Sequence, residues 1–253
     1  MKGAAMRPGC ALVAAAMLFA FGLRGAAQSP TAQKSAAQDD AMNRTTAGST
    51  AQHEAAQDAT VAVDFTNAGL SPSHWTLTLH PDGSGHFRSE MGKPPAGGLQ
   101  EIDTPDVDRD VRLSPEFAAQ VFEVAARHHF FNEKCESRLK VAFQGWKKFS
   151  YTGPDGSGAC TFNYSKDKEM ESLGDTVGAV AETILEGERL EVLLAHDRLG
   201  LDREMEFLVD AASTGRAQQM GAIRGILSRL AEDDDVMERV RKRARMLLAQ
   251  GAS

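Results

Sequence analysis

The side chains with most chemistry to offer are Cys135 and Cys160 and the histidines at 74, 80, 86, 128 and 129. A third cysteine, Cys10, lies in the apolar leader. An isolated cysteine pair in an oxidising compartment forms a disulfide. A redox-active pair would be close-spaced, as in Cys-x-x-Cys. The expectation is therefore a structural Cys135–Cys160 bridge. His80 and His86 could face each other across a turn, with His74 on the same side. Imidazoles so grouped can hold a transition metal, but no carboxylate or cysteine stands at ligand spacing, so no metal site is assigned. His128 and His129 are adjacent, point apart on a helix, and read as exposed helix-end residues. No Gly-x-Ser-x-Gly elbow, His-Glu-x-x-His helix or phosphate-binding glycine loop occurs. Ser84 and Ser157 read as turn residues, and no catalytic residue or cofactor is assigned.

These residues need a frame, and the stretch 147–165 supplies it. Phe149 and Tyr151 alternate with small or polar residues. After the Gly153–Gly158 connection, Cys160, Phe162 and Tyr164 do the same. Pairing Thr152 with Ala159 sets Tyr151 against Cys160 and Phe149 against Phe162, a hairpin with one apolar face. A second hairpin spans 74–91. Pairing His80 with His86 there sets Leu79 against Phe87 and Trp75 against Met91. Both turns carry Pro-Asp-Gly-Ser-Gly, at 81–85 and 154–158, a repeat that either duplication or common turn chemistry produces.

Residues 1–27 read as a signal peptide. Lys2 and Arg7 precede the apolar run 10–23, and small residues at 25–27 precede a cut near Gln28. That run is short for a membrane span, although an uncleaved anchor is the rival reading. Residues 28–59, without aromatics or apolar periodicity, read as a disordered linker. The chain carries 28 basic and 35 acidic residues, a net −7. Loss of the leader makes the balance more acidic, which disfavours nucleic acid as a partner.

Residues 92–112 read as a loop, with a short strand near 99–102. Ser114, Pro115 and Glu116 open a helix ending near His128. The stretch 138–146 is ambiguous, because Leu139, Val141 and Phe143 alternate but Gly145 interrupts. Asp167 caps a helix from 168 to 186, and Gly187 ends it. Further helices follow at 190–199, from Asp202, at 216–231 and at 234–249. The last carries a basic cluster, Arg239, Arg241, Lys242, Arg243 and Arg245, which could be a patch for an anionic partner but, acid-first and base-last, reads as an ordinary surface helix. The expected fold is α+β: an antiparallel sheet from two hairpins covered by helices, as a domain over 60–187, then a helical C-terminal domain over 188–253.

The runs SYTGPDGSGACTFNYS and HDRLGLD (196–202) resemble a group of exported bacterial proteins without an assigned activity, over roughly 114–250. The resemblance implies a bacterial envelope setting and brings no activity with it. Two function classes follow. One is an exported, periplasmic or extracellular binding or scaffold protein without catalysis, with a protein or envelope component as partner and no integral membrane span in the mature chain. The other is a hydrolase or metal-dependent enzyme whose residues converge only on folding, in a deep pocket lined by carboxylates or histidines.

Overall fold

The computed structural model describes residues 59–92 and 105–251. The expected leader, nearly all of the linker and the short strand near 99–102 lie outside the described residues. Six strands form one antiparallel sheet: β1 (Thr60–Thr66), β2 (His74–Leu79), β3 (Ser84–Glu90), β4 (Val107–Arg112), β5 (Trp146–Gly153) and β6 (Gly156–Phe162). Their spatial order is β4-β3-β2-β1-β5-β6. Sequence reasoning assigns no strand to 60–66, yet β1 joins the two hairpins, pairing with β2 on one side and β5 on the other. Its pattern TVAVDFT turns Val61 and Val63 into the core. β4 corrects the reading of 92–112 as a loop. Its charges place it at a sheet edge, while Val107 and Val111 face inward.

Both hairpins keep the expected faces but shift by two residues. Phe149 pairs with Cys160 and Tyr151 with Gly158. Leu77 pairs with Phe87 and Trp75 with Ser89. A two-residue shift preserves side-chain parity, so periodicity finds the face and leaves the partner open. The turns are tighter than their composition suggests. Pro154 and Asp155 alone separate the paired Gly153 and Gly156. In the first hairpin, His80 N–H donates to the Ser84 carbonyl at 2.8 Å across Pro81–Gly83. Identical pentapeptides thus make different turns.

One sheet face is buried under two helices, α1 (Pro115–Arg127) and α2 (Lys168–His196). Ser114 caps α1, its Oγ accepting from Phe117 N–H at 3.1 Å. Such a cap is worth about 1 kcal/mol. Asp167 caps α2 as expected, accepting from Glu169 and Met170 N–H. Phe117, Val121, Met170, Val177, Val180 and Ile184 meet Val61, Leu77, Phe87, Phe149 and Phe162 in one core.

α2 does not stop at Gly187 and runs 29 residues without a break. A Cβ at Gly187 would collide with the Cγ2 methyl of Ile223. The glycine serves close packing, not termination. The next helices are α3 (Leu201–Ser213), α4 (Arg224–Glu232) and α5 (Glu238–Gln250), with a 3-10 turn at Met220–Ile223. Gly200, not Asp202, occupies the N-cap of α3. Asp202 instead accepts from Arg239 and Arg243. The C-terminal helices share a second apolar cluster, from Leu190 and Leu193 of α2 through Leu208, Leu227 and Leu230 to Leu247.

Candidate interaction surface and surrounding polar clusters

Cys135 and Cys160 are bonded, with Cα atoms 5.8 Å apart. The bridge fixes the start of the connection between α1 and β5 to strand β6. From there the backbone is pinned repeatedly. Ser137 N–H donates to the Tyr164 carbonyl at 2.9 Å, and Glu136 bridges to Ser165. Asn163 is the hub: its N–H donates to Glu136 Oε2 at 2.6 Å, its Oδ1 accepts from Gln144 N–H at 2.7 Å, and its Nδ2 donates to the Ala142 carbonyl. Asn67 Nδ2 donates to the Gln144 carbonyl from the β1–β2 turn. Gly145, buried at φ +121°, lies where a Cβ would strike the Phe65 ring. That combination requires glycine.

The side chains on this anchored backbone point outward. Leu139 is 52%, Val141 40%, Phe143 55% and Trp146 46% exposed. Phe143 and Trp146 pack edge to face at 5.9 Å. Thr66 pairs with both His74 and Trp146, so the β1–β2 turn, with exposed Leu70, leaves the same end of the sheet. Isolated exposed apolar groups need no explanation, but a cluster does. Arg138 and Lys140 alternate with the apolar residues, and Lys134 and Lys148 flank them, all exposed. Lys147 turns inward instead. Its Nζ donates to the Asn163 carbonyl at 3.3 Å and lies 5.5 Å from the centroid of the Phe162 ring.

Between α1 and this segment is a left-handed turn. His129, Phe130 and Phe131 all have positive φ, from 51° to 63°. Three such residues cost about 3–6 kcal/mol. Complete burial of Phe131 and the stacking of Phe130 on Tyr151 at 4.6 Å oppose that strain. His128 enters the turn and corrects the reading of an exposed helix end, although His129 is exposed. His128 Nδ1 lies 2.7 Å from Glu133, and Nε2 lies 3.0 Å from Glu169 and 3.7 Å from Asp167. Burial alone would lower its pKa, but the Glu133 and Glu169 hydrogen bonds and the Asp167 charge outweigh it and hold it above the usual imidazole range. Arg127 completes the node, with Nη2 donating to Glu169 Oε1 at 2.6 Å. The cleft beside it, lined by Glu133–Arg138 and Ser165–Asp167, therefore has two of its carboxylates, Glu133 and Asp167, turned to His128.

A second node, which no sequence pattern announced, lies between α2 and α3. Glu186 is 4% exposed, hydrogen-bonds to Glu204, and leaves Oε2 without a partner. Arg189 sits 3.9 Å from Glu186 and 3.6 Å from Glu204. Burial, with the neighbouring Glu204 and Glu182 carboxylates, pushes Glu186 up to about 9. Glu186 is thus a neutral acid at pH 7 that donates to Glu204.

The other sheet face is polar and partly exposed. His80 and His86 are not opposite one another: His86 pairs with Thr78, and His80 lies across from Ser84. His86 sits between Asp108 at 3.0 Å and Asp110 at 2.9 Å, and hydrogen bonding to Asp110 raises its pKa. His74 lies 3.2 Å from Asp64 and 3.7 Å from Glu90, and His80 approaches Thr60 at 3.4 Å. The carboxylates invisible at sequence spacing come from neighbouring strands. Even so, no group of three or more His, Cys, Asp or Glu among the described residues is arranged to hold a metal.

On α5, Arg239 and Arg243 bind Asp202, Arg241 binds Asp234 and Glu238, and Arg245 binds Glu238. These pairs tie the four arginines of the basic cluster to carboxylates of the chain, although Arg241 Nε is buried without a hydrogen-bond partner. No helix among the described residues is long and apolar enough to cross a membrane. No protein-family model matches the chain, and no curated protein sequence matches it either.

Proposed function

We propose that this chain is an exported, non-catalytic binding or scaffold protein of the cell envelope, periplasmic or extracellular, and that it engages its partner through the sheet end carrying Leu139, Val141, Phe143 and Trp146. One observation carries the reading: these four apolar side chains are 40–55% exposed on a backbone tied down through Asn163, Asn67 and the disulfide. A floppy loop would let such side chains collapse onto the protein. This one holds them in solvent, the arrangement a contact surface needs. The Cys135–Cys160 bond supports an oxidising compartment, as do the positively charged start and short apolar run of residues 1–27. The expected α+β and helical domains would divide the work, with the sheet presenting the contact surface.

Cell fractionation tests the reading. The wild-type chain should appear processed in the envelope fraction. The L139S/F143S variant should be exported equally and shift toward the soluble fraction. Cytoplasmic retention of the wild type, or an unchanged distribution of the variant, would overturn it.

A further inference from the structure

We infer that the occupant of this surface is an anionic lipid bilayer, with Leu139, Val141, Phe143 and Trp146 entering the interface and Arg138, Lys140 and Lys148 meeting its negative headgroups. The inference rests on the proposed function and names its partner.

Charge selects the partner first. The chain is net acidic, yet residues 134–148 contain five cations and one carboxylate; Lys147 turns inward, which leaves Lys134, Arg138, Lys140 and Lys148 exposed. The carboxylate, Glu136, is occupied by Asn163 N–H. Asp64 and Glu90, at the same end, flank His74. Among the described residues, Arg138 and Lys140 have no carboxylate partner, unlike the arginines of α5. The free cations therefore face outward and suit an anionic surface.

Shape and side-chain type select a bilayer over a peptide. A bound strand or helix needs a groove with pockets. Neither described cleft contains Leu139, Val141, Phe143 or Trp146. These side chains project instead, as an interfacial anchor requires. Aromatic and aliphatic tips enter the acyl boundary, while long cationic side chains reach the phosphates. Trp146, beside Phe143, opens strand β5 where the end of the sheet meets the apolar loop, and tryptophan favours such a boundary.

The test uses the purified full chain and vesicles of phosphatidylcholine alone or mixed with phosphatidylglycerol. Sedimentation should show binding to the mixed vesicles, weakened by salt, and little to the neutral ones. Each cation near a charged bilayer contributes about fivefold, so R138Q/K140Q should bind about 25-fold more weakly. F143S should lose about tenfold. The chain has two tryptophans, and Trp75 is buried between Phe65 and Phe87. In W75F, the Trp146 emission should shift to the blue on binding. If W75F does not fold, loss of acrylamide quenching in the wild type reads the same event. Circular dichroism confirms that each variant is folded. Equal binding to both vesicles, no binding at low salt, or wild-type binding by F143S and R138Q/K140Q would overturn the inference. If L139S/F143S leaves the envelope fraction while purified protein ignores anionic vesicles, the surface contacts a protein: the functional reading stands and the lipid inference falls.

Discussion

Replacing Glu186 with glutamine should make this protein more stable at neutral pH. Burial and the Glu204 and Glu182 carboxylates push the Glu186 carboxyl from 4.5 to about 9, while Arg189 opposes the shift. The native state therefore binds a proton that the unfolded chain releases above pH 4.5. A raised carboxyl gives stability that is fully present below the unfolded pKa and is lost as pH rises toward the folded one. At pH 7 about 2.5 pH units of that loss have accrued, at about 1.4 kcal/mol per unit, or about 3.5 kcal/mol. Glutamine keeps the shape and neutrality of the protonated acid and can still donate to Glu204, without a proton to lose. The assay is urea unfolding of wild type and E186Q at pH 5, 7 and 9. The stability difference should grow in favour of E186Q from pH 5 to pH 9 and reach a few kcal/mol. Parallel pH profiles would show that Glu186 is ionised in the native state and that the reasoning fails.

His128 should behave with the same sign for a different reason. Its carboxylate partners favour the imidazolium, so its contribution is complete below about pH 6.5 and fades as pH rises through the folded pKa. H128Q should lose about 2 kcal/mol at pH 6 and less at pH 9, as chemical denaturation would show. Replacing Cys135 and Cys160 together by alanine should lower stability by about 3.5 kcal/mol, because the bridge closes a loop with a sequence separation of 25. The thermal midpoint and a thiol count on the unfolded wild type check it. Gly158→Ala places a Cβ 2.5 Å from the Phe130 carbonyl and 2.7 Å from Asn132 N. It should destabilise the fold by about 2 kcal/mol through the left-handed turn, measured by the same denaturation.

Periodicity carried the sequence reading as far as one face of one element and no further. It found the inward faces of both hairpins, while residue type alone marked the caps Ser114 and Asp167, and the count of cysteines marked the bridge. It could not place Phe149 against Cys160, since any two-residue slip preserves the pattern. Gly187 misled because a helical glycine can end a helix or admit a neighbour, and only Ile223, 36 positions later, decides which. The strand at 107–112 hid behind its charges, which suit an edge. His128 looked exposed because its partners Glu133, Asp167 and Glu169 come from the turn and another helix. The outward side chains of 138–146 were visible as an alternation. Their exposure was not, because it depends on Asn163 and Asn67 holding the backbone.

The unbroken α2 has a consequence for hydrogen exchange. The helix is about 44 Å long at 1.5 Å per residue. Its first half packs in the sheet core through Met170, Val177 and Ile184, and its last turns pack in the C-terminal cluster through Leu190 and Leu193. The amides between Ile184 and Leu190 are therefore clamped from both sides. Opening either cluster alone leaves the other to hold the helical register through this turn. Those amides should be released only when both clusters have opened, so the middle of α2 reports global unfolding, while each end reports its own neighbourhood.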